Sequence, residues 1–369
     1  MLENKSILFV INDLDLGGAG KMMKYLVNVA SEWFGQVSLV ELYATEASKE
    51  IPDTVKTYPL GIETKGVLGF RYKIIKTLRH IVKADKPDIV LTFVSNECVN
   101  TRIATLGLDT ITCSAERGDP YTETFPWTVL VKWAYEKSDY CFFQLEHARE
   151  FYPKVRERSF VIPNVFIAKP ENTPYTGPRK KTIVGAGRFV VEKGYDVLIK
   201  AFAKVHQLHP EYTMTIYGEG PFIDQYHALA KELGVDELIS YPGYVKDVAA
   251  SVREDGIFVL PSRYEGIPNS LIEALSVGIP CVSTDCSPGG PMFLTNGGKN
   301  GIIVPIDDVD AMTEAILKII ENPAFAKELE ARGPEIVSSL KDEVIREQWK
   351  AAFEQIFAQH DNLAKLGSV

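Results

Sequence analysis

The sequence has few cysteines, no surplus of positive charge and no long apolar run. Its five cysteines are an odd number without the spacing of zinc ligands, so we expect free thiols in a reducing cytoplasm and neither a disulfide framework nor a zinc site. No run of eighteen apolar residues is present, which argues against a transmembrane helix. The N-terminal residues lack the basic stretch of a signal peptide and are typical of a first β-strand.

The charge balance argues against a nucleic-acid partner. The formal net charge is −9, and because residues 1–170 carry as many acidic as basic side chains, the whole excess of acid lies in residues 171–369. A chain without surplus cations cannot displace many counterions from a nucleic acid. We therefore expect any anionic ligand to be held by a few placed cations and backbone amides.

Short apolar runs alternate with amphipathic segments along the chain, which predicts βαβ units and parallel sheets. A proline-rich stretch interrupts the alternation, which restarts beyond it. We predict an N-terminal domain over 1–165, a linker over 166–181 and a C-terminal domain over 182–340, with a helix over about 341–358 completing the first domain. Both are expected to be doubly wound, Rossmann-like α/β domains that face each other across a cleft, where ligands of such sheets bind.

Two familiar nucleotide-binding motifs do not fit. The run LDLGGAGKM suggests a P-loop, but Met22 stands where a Ser or Thr would hold magnesium. The glycines of 185–187 follow a predicted strand, yet the third glycine of a Rossmann fingerprint falls on Val190. Gly17 and Gly18 still join the first strand to the first helix. Glycines there permit close approach of a ligand, and a tight turn explains them equally well.

Two segments of the second half carry charges that suit a phosphorylated sugar. Arg188 and Lys193 flank a predicted strand-to-helix junction, where two cations at the positive end of a helix suit a diphosphate. Glu265 precedes a helix that contains Glu273 eight positions on. Three backbone amides at the start of this helix are candidate phosphate donors, those of Asn269, Ser270 and Leu271. Each pair alone is more simply explained as surface charge, but their occurrence in one domain favours a site.

The ordered motifs of the second half resemble those of the family 4 retaining glycosyltransferases of GT-B fold. Five segments carry the resemblance, which is strong over about 185–308: GRFVVEKG, IYGEGP, YPGYV, PSRYEGIPNSLIEALSVGIPCVSTD and GIIVPIDD. It implies GT-B architecture and transfer of a sugar, with retention of configuration, from a nucleoside diphosphate sugar to a glycan hydroxyl. We expect a UDP-linked donor and a place in the synthesis of cell-surface polysaccharide or lipid-linked oligosaccharide.

The resemblance also implies roles for individual residues. Arg188 and Lys193 would bind the donor diphosphate. Glu265 would contact the sugar hydroxyls, and Glu273 would hold the ribose. Four residues would frame the base: Gly218, Glu219, Tyr244 and Val245. The Gly17-Gly18 loop resembles the family's N-terminal loop, which approaches donor phosphate and acceptor.

One segment of the first half departs from part of the family. Where some members place a histidine, this chain has SAERGDP over 114–120, with Glu116, Arg117 and Asp119. This form resembles a subset of polysaccharide-building members, so we place the three residues on the acceptor side. A structural ion-pair cluster is an equal alternative.

We expect no metal and no other cofactor. Asp13 and Asp15, and likewise Asp308 and Asp310, match the Asp-x-Asp form used by metal-dependent transferases. Asp308, however, is placed to cap the helix that follows it, and Asp13 lies in a turn beside the glycines. The six histidines match no ligand pattern.

A basic segment over 65–86 raises the question of a membrane. It carries seven Lys or Arg against one acid, together with an apolar stripe at helical spacing. A sheet-covering helix with a solvated face accounts for the stripe. A basic outer face would also attract anionic lipid, at about 1 kcal/mol per charge near the surface, and Trp127 and Trp133 would assist. The expectation is a cytoplasmic protein held peripherally on the inner face of the cell membrane.

Two other functions fit the same motifs. A GT-B sugar-nucleotide epimerase shares the fold, and so does a catalytically silent subunit that binds a sugar nucleotide. The silent subunit is disfavoured because every candidate charged group is present. A glucan phosphorylase would need a pyridoxal cofactor and a far longer chain.

Overall fold

The chain forms two compact units, each built on one parallel sheet. The computed structural model describes residues 2–15, 17–62, 67–169 and 172–366. The first unit comprises residues 1–164 and 343–369, and the second comprises Val165–Asp342. Segment 166–181, predicted as a linker, is therefore part of the second unit. The predicted fold class of two doubly wound α/β domains is confirmed.

The first unit has a seven-stranded sheet with the order β3-β2-β1-β4-β5-β6-β7. Its strands are β1 (Ser6–Ile11), β2 (Gln36–Glu41), β3 (Lys56–Pro59), β4 (Ile89–Phe93), β5 (Ile111–Ala115), β6 (Tyr140–Phe143) and β7 (Ser159–Val161). Its helices are α1 (Gly17–Ala30), α2 (Val67–Asp85), α3 (Ser95–Ala104), α4 (Trp127–Lys137) and α5 (Glu146–Glu150). The central strands are almost continuously buried, as expected for a parallel sheet with helices on both faces.

The second unit has a six-stranded sheet with the order β10-β9-β8-β11-β12-β13. Its strands are β8 (Thr182–Ala186), β9 (Thr213–Tyr217), β10 (Ile239–Gly243), β11 (Ile257–Leu260), β12 (Cys281–Thr284) and β13 (Ile302–Val304). Its helices are α6 (Tyr195–Leu208), α7 (Ile223–Glu232), α8 (Val248–Val252), α9 (Asn269–Ser276), α10 (Gly290–Leu294), α11 (Val309–Glu321) and α12 (Pro323–Arg332).

The chain ends in a long helix that packs in the first unit. This helix, α13 (Asp342–Leu366), buries Trp349, Phe353 and Phe357 completely or nearly so. The ring of Trp349 stacks on that of Phe142 in β6, with 4.6 Å between the ring centroids. These aromatic contacts explain why residues far apart in sequence share one core.

Helix α2 covers the sheet with its apolar stripe. Ile74, Leu78 and Val82 pack in a cluster with side chains of β1, β2 and β4, and the lysines of the opposite face are exposed. Residues 65 and 66 of the predicted basic segment lie outside the described residues. No helix in the described ranges has the length and hydropathy of a membrane span.

Each sheet reverses its strand order at one place. The reversal lies between β1 and β4 in the first sheet and between β8 and β11 in the second. Loops that follow two such strands leave to opposite faces, which opens a crevice where ligands of these sheets bind. Arg188 and Lys193 follow β8, and Glu265 follows β11. The topology alone thus brings the predicted catalytic residues to the crevice of the second unit.

Candidate functional site

The loops after β8 and β11 meet through an ion pair. Lys193 Nζ binds Glu265 Oε1, and only 17% and 12% of the two side chains are exposed. Because the pair is shielded from water, the two charges interact more strongly than an exposed pair does. Two of the three residues predicted to be catalytic are therefore in direct contact.

Of two residues that the sequence analysis did not single out, Ser262 contacts this pair and Arg263 fixes the adjoining loops. Ser262, which is fully buried, donates from Oγ to Glu265 Oε1 over 2.8 Å. Arg263 binds the Asp196 carboxylate at 2.9 Å, and its backbone amide donates to the carbonyl oxygen of Glu192 at 2.8 Å. The hydrogen bond to Asp196 raises the pKa of Arg263. Ser262 and Arg263 lie within three residues of Glu265 in the sequence, and this proximity could have identified them.

Arg188 differs from Lys193 because its side chain stays exposed. Two-thirds of it, 67%, is open to solvent, and its guanidinium lies 3.9 Å from the Glu192 carboxylate. An exposed contact of this length contributes little energy. The planar guanidinium therefore remains able to bind a phosphate through two parallel hydrogen bonds.

The loops after β8, β9 and β10 are joined by backbone hydrogen bonds. The Gly187 amide donates to the carbonyl of Tyr217, and the Gly218 amide donates to the carbonyl of Gly243, both at 2.9 Å. Gly218 has a φ of +149°, and a Cβ there would overlap the Gly187 carbonyl. Only glycine satisfies both conditions. Gly218 thus allows the backbones of the loops after β8 and β9 to approach closely, which fixes their relative position at the bottom of the site.

The predicted base-framing residues lie at the ends of β9 and β10. Glu219 Oε1 accepts a hydrogen bond from the Tyr244 amide at 3.4 Å, which connects the two loops. The ring of Tyr244 is exposed and Val245 is half-buried. An exposed aromatic ring of this kind offers a flat face on which a planar base can stack.

Glu273 is not a solvated helix charge. Its Oε2 accepts a hydrogen bond from the Val248 amide at 2.9 Å, at the first residue of α8. The side chain is half-buried. Since Val248 lies four residues after Tyr244, this bond brings Glu273 to the loop that carries the predicted base-framing residues.

One of the three helix-start amides already has an acceptor. The Leu271 amide donates to the carbonyl oxygen of Pro268 at 3.1 Å, because the first turn of α9 is tightened into an i to i−3 bond. The expectation that Leu271 offers its amide to phosphate is corrected accordingly. Asn269 and Ser270, both half-buried, precede this bond at the positive end of the helix.

Gly17 and Gly18 begin α1, the helix that follows β1 at the strand reversal of the first sheet. Gly17 has a φ of +48°, and its amide donates to the Asp15 carbonyl at 2.7 Å. Both glycines are exposed. The turn thus accounts for Gly17, whereas the role of Gly18 toward a ligand stays a prediction.

Glu116 points into the packed interior of the first unit. Its carboxylate accepts hydrogen bonds from the Gly118 amide at 2.9 Å, the Tyr135 hydroxyl at 3.1 Å and the Ser95 hydroxyl at 3.3 Å. Burial raises the pKa of Glu116. These three donors bind Glu116 within the protein, which favours the structural alternative over direct contact with an acceptor.

Arg117 and Asp119 are engaged within the first unit as well. The Arg117 guanidinium carbon lies 4.9 Å from the ring centroid of Phe93 and 5.2 Å from that of Trp349, and Nη1 donates to the Ile162 carbonyl at 3.1 Å. Burial lowers the pKa of Arg117 to about 9. Asp119 caps the short turn that follows it. Aromatic packing and hydrogen bonds hold these residues in the first unit, whereas the structural alternative given in the sequence analysis was a cluster of ion pairs.

The two Asp-x-Asp segments have different surroundings. Asp308 accepts a hydrogen bond from the Ala311 amide at 2.9 Å and caps α11. Asp13 accepts one from the Asn12 side chain at 3.3 Å. Across the described ranges, no three His, Cys, Asp or Glu side chains converge as metal ligands do. All five cysteines are buried free thiols.

Comparison with known proteins finds one matching family model and several relatives. Residues 172–336 match the family described as Glycosyl transferases group 1. Over 93% of its length the chain is 24% identical to an alpha-1,4-N-acetyl-D-galactosaminyltransferase of Campylobacter jejuni, of which it covers 96%. The chain also matches two curated relatives at 30% identity, but it spans only 22% and 52% of their lengths.

Solved structures resemble the chain over nearly its whole length. The lipopolysaccharide outer core galactosyltransferase WaaB, in its apo form, matches 96% of this chain and 99% of its own, with a TM-score of 0.75 and 18% identity. HepE of Anabaena, in complex with UDP and glucose, matches 95% of this chain and 100% of its own, with a TM-score of 0.77 and 17% identity. These likenesses confirm the predicted GT-B fold.

Proposed function

We propose that this chain, a glycosyltransferase by its fold, its matched domain and its relatives, moves a sugar from a nucleoside diphosphate sugar to a glycan hydroxyl. The observation that carries the proposal is the shielded Lys193–Glu265 pair at the strand reversal, beside the exposed Arg188. A neighbour that holds UDP and glucose supports a UDP-linked donor. Retention of configuration rests on the motif resemblance. The relatives do not favour the epimerase alternative.

The site must stabilise the diphosphate as it leaves the donor sugar. Negative charge develops on the leaving group as the glycosidic bond breaks, and preorganised cations and dipoles stabilise it. An ammonium has three protons, so Lys193 can keep its bond to Glu265 and still donate to the diphosphate. Arg188 and the start of α9, with its positive end, would supply the remaining stabilisation.

Glu265 has one carboxylate oxygen available for the sugar. Lys193 and Ser262 both bind Oε1, and among the described residues no donor to Oε2 is found. Because Ser262 and Lys193 fix the carboxylate plane, Oε2 can accept from a sugar hydroxyl without losing the internal bonds. This division of the two oxygens supports the proposed contact of Glu265 with the donor sugar.

The relatives support an acceptor that belongs to a polysaccharide or lipopolysaccharide. The Campylobacter jejuni relative is named for transfer to a glycan linked through diNAcBac-PP to undecaprenol. A lipid-linked glycan is therefore the acceptor class we propose here. Such an acceptor lies at a membrane, and we accordingly propose peripheral attachment to the inner face of the cell membrane, favoured by the exposed lysines of α2.

Replacing Glu273 by glutamine is expected to weaken donor binding. The change removes a charge-assisted hydrogen bond to the ribose, worth about 1.5–3 kcal/mol, while the glutamine oxygen can still accept from the Val248 amide. Titration of the nucleoside diphosphate by calorimetry measures the effect. Glu314→Gln on α11, where the side chain is exposed, is the matched control. Equal affinity in Glu273→Gln and the wild type would remove Glu273 from the donor site.

Activity is expected to survive EDTA. Cationic side chains and a helix start would stabilise the leaving diphosphate in place of a metal ion. Release of nucleoside diphosphate is measured before and after chelation, followed by addition of manganese or magnesium. Loss of activity with EDTA and its recovery with either metal would contradict the expectation.

A panel of nucleotide sugars tests the proposed function. Full-length protein is mixed with each UDP-, GDP- and ADP-sugar, and thermal stabilisation and slow donor hydrolysis are recorded. A ligand that binds only the folded state raises the apparent stability by RT ln(1 + [L]/Kd), so a tighter ligand stabilises more at the same concentration. One UDP-sugar is expected to stabilise the protein and to be hydrolysed slowly by it. The absence of both with every nucleotide sugar would overturn the proposal.

A further inference from the structure

Arg263, in the loop after β11, connects that loop to three other segments of the second unit. Its Nη2 donates to the Asp196 carboxylate at 2.9 Å in the first turn of α6, and its Nε donates to the Asp307 carboxylate at 2.8 Å in the loop after β13. Its Nη1 donates to the carbonyl oxygen of Val191, in the loop after β8. Each nitrogen of the guanidinium therefore has an acceptor within this unit.

Backbone contacts also fix the turn that carries Lys193 against the loop after β11. The Arg263 amide donates to the carbonyl oxygen of Glu192 at 2.8 Å. Gly194 has a φ of +64°, and a Cβ at this position would overlap the carbonyl oxygen of Pro261. Only glycine permits so close an approach in this conformation. The backbone on both sides of Lys193 is thus in contact with the loop after β11.

The surroundings of Arg263 do not suit direct binding of the donor. Its side chain is 23% exposed, whereas 67% of the Arg188 side chain is exposed. Two carboxylates, those of Asp196 and Asp307, face the single guanidinium, so the group has a net negative charge that does not attract a diphosphate. Arg263 can instead affect the position of the turn to which it is bonded, and that turn carries Lys193.

We propose that Arg263 is a positioning residue for glycosyl transfer, which holds the turn over 191–194 so that Lys193 reaches both Glu265 and the leaving diphosphate. A lysine has a flexible four-carbon stem, so its ammonium is placed only as precisely as the backbone that carries it. Stabilisation of a leaving group depends on preorganised charge, and a displacement of about 1 Å can cost on the order of 10²-fold in rate. The inference rests on the proposed function, because it assigns Arg263 a part in the same reaction.

The substitution Arg263→Lys tests the proposal while it keeps the positive charge. An ammonium lacks the planar fork of a guanidinium, so it cannot hold Val191, Asp196 and Asp307 together. Turnover of the UDP-sugar selected by the panel is expected to fall on the order of 10²-fold. Affinity for UDP should fall by less, because the predicted contacts to the base and the ribose lie in other loops.

A double variant shows whether Arg263 acts through Lys193. In Lys193→Ala the ammonium that Arg263 positions is absent, so adding Arg263→Lys should lower the residual turnover little further. A general loss of stability, or a separate effect of Arg263 on the donor, would instead lower turnover by the same factor with and without Lys193. All rates are compared well below the melting temperature of the least stable protein.

Hydrogen–deuterium exchange of the full-length protein follows the turn without reference to activity. The Lys193 amide donates to the Val190 carbonyl at 3.0 Å, within the turn. Arg263→Lys should make the amides of this turn exchange faster, while those of the central strands keep their protection. Arg332→Lys, which changes an exposed arginine paired with Glu328 on α12, is the matched control and should leave exchange and turnover unchanged.

Three outcomes would overturn the inference: wild-type turnover in Arg263→Lys, unchanged amide exchange of the turn, or rate losses that multiply in the double variant. A wild type that turns over no nucleotide sugar would instead count against the proposed function. The amide exchange would then still decide whether Arg263 holds the turn that carries Lys193.

Discussion

Alanine at Arg188 or at Lys193 is expected to lower the rate of sugar transfer on the order of 10²–10³-fold. Both cations lie in the loop after β8, and both would act on charge that develops as the diphosphate leaves. Their effect is greater in the transition state than in the bound donor, so turnover should fall by more than donor affinity does.

In the double variant, the loss of transition-state stabilisation is expected to be smaller than the sum of the losses in the two single variants. Both side chains would stabilise one leaving group, and residues that share a partner are not additive. Turnover and nucleoside diphosphate affinity are measured for the wild type, both single variants and the double variant. Lys200→Ala, an exposed cation on α6, is the matched control and should leave the rate unchanged.

Of the two single substitutions, only the one at Lys193 is expected to lower the folding stability. Removing Lys193 deprives the shielded Glu265 carboxylate of its cation, so Lys193→Ala should also lower the melting temperature. Arg188→Ala should not, because the Arg188 side chain is exposed. The rates are therefore compared well below the melting temperature of the least stable variant. Near-normal rates in both single variants would show that the cations belong to the surface and not to a site.

Replacing Trp349 by alanine is expected to lower the free energy of unfolding by about 3–5 kcal/mol. The indole is completely buried in the first unit, stacks on Phe142 and lies against the Arg117 guanidinium. Its removal would leave a cavity and a buried cation with one aromatic neighbour fewer. Trp349→Phe should restore part of the loss, since a phenyl ring can still stack.

Urea unfolding at equilibrium measures this effect. Gln348→Ala, one position earlier on the exposed side of α13, is the matched control and should change the stability by less than about 0.5 kcal/mol. If Trp349→Ala and Gln348→Ala were equally stable, the C-terminal helix would not contribute to the core as the structure indicates.

The fold could be predicted because its strands are continuous apolar runs. The N-terminal residues, typical of a first strand, contain the apolar run SILFVIN at 6–12, and β1 spans Ser6–Ile11. Elements of mixed composition escaped the same reasoning. Helix α3 has the sequence SNECVNTRIA, in which no apolar period is evident, and its burial depends on packing between α2 and α4. The short edge strand β3 is held by pairing with β2 and has little apolar pattern of its own.

The site could be predicted in its charges but not in its internal contacts. The motif spacing placed Arg188, Lys193 and Glu265 in one domain, and the strand order explains why the loops that carry Lys193 and Glu265 meet. Which side chains pair depends on rotamers and loop paths, which no spacing reveals. The Lys193–Glu265 bond and the buried Ser262 hydroxyl behind it are of this kind.

The surroundings of Glu116 and Arg117 could not be predicted from the local sequence. Glu116 and Arg117 are charged residues beside a strand end, and charge in such a loop suggests a ligand. In the structure Glu116 is bonded to hydroxyls of Tyr135 and Ser95, and Arg117 packs against a ring of the C-terminal helix. That helix lies more than two hundred residues away along the chain, so local sequence could not indicate the packing.

The most direct test of the central claim is a product measurement. Wild-type protein is incubated with the UDP-sugar selected by the binding panel and with a lipid-linked glycan acceptor, and free UDP and extended acceptor are quantified by mass spectrometry. Equal amounts of UDP and extended acceptor, both on the order of 10²-fold lower with Lys193→Ala, are the predicted result. Donor that binds but yields neither product, or product formed equally well by Lys193→Ala, would contradict the account.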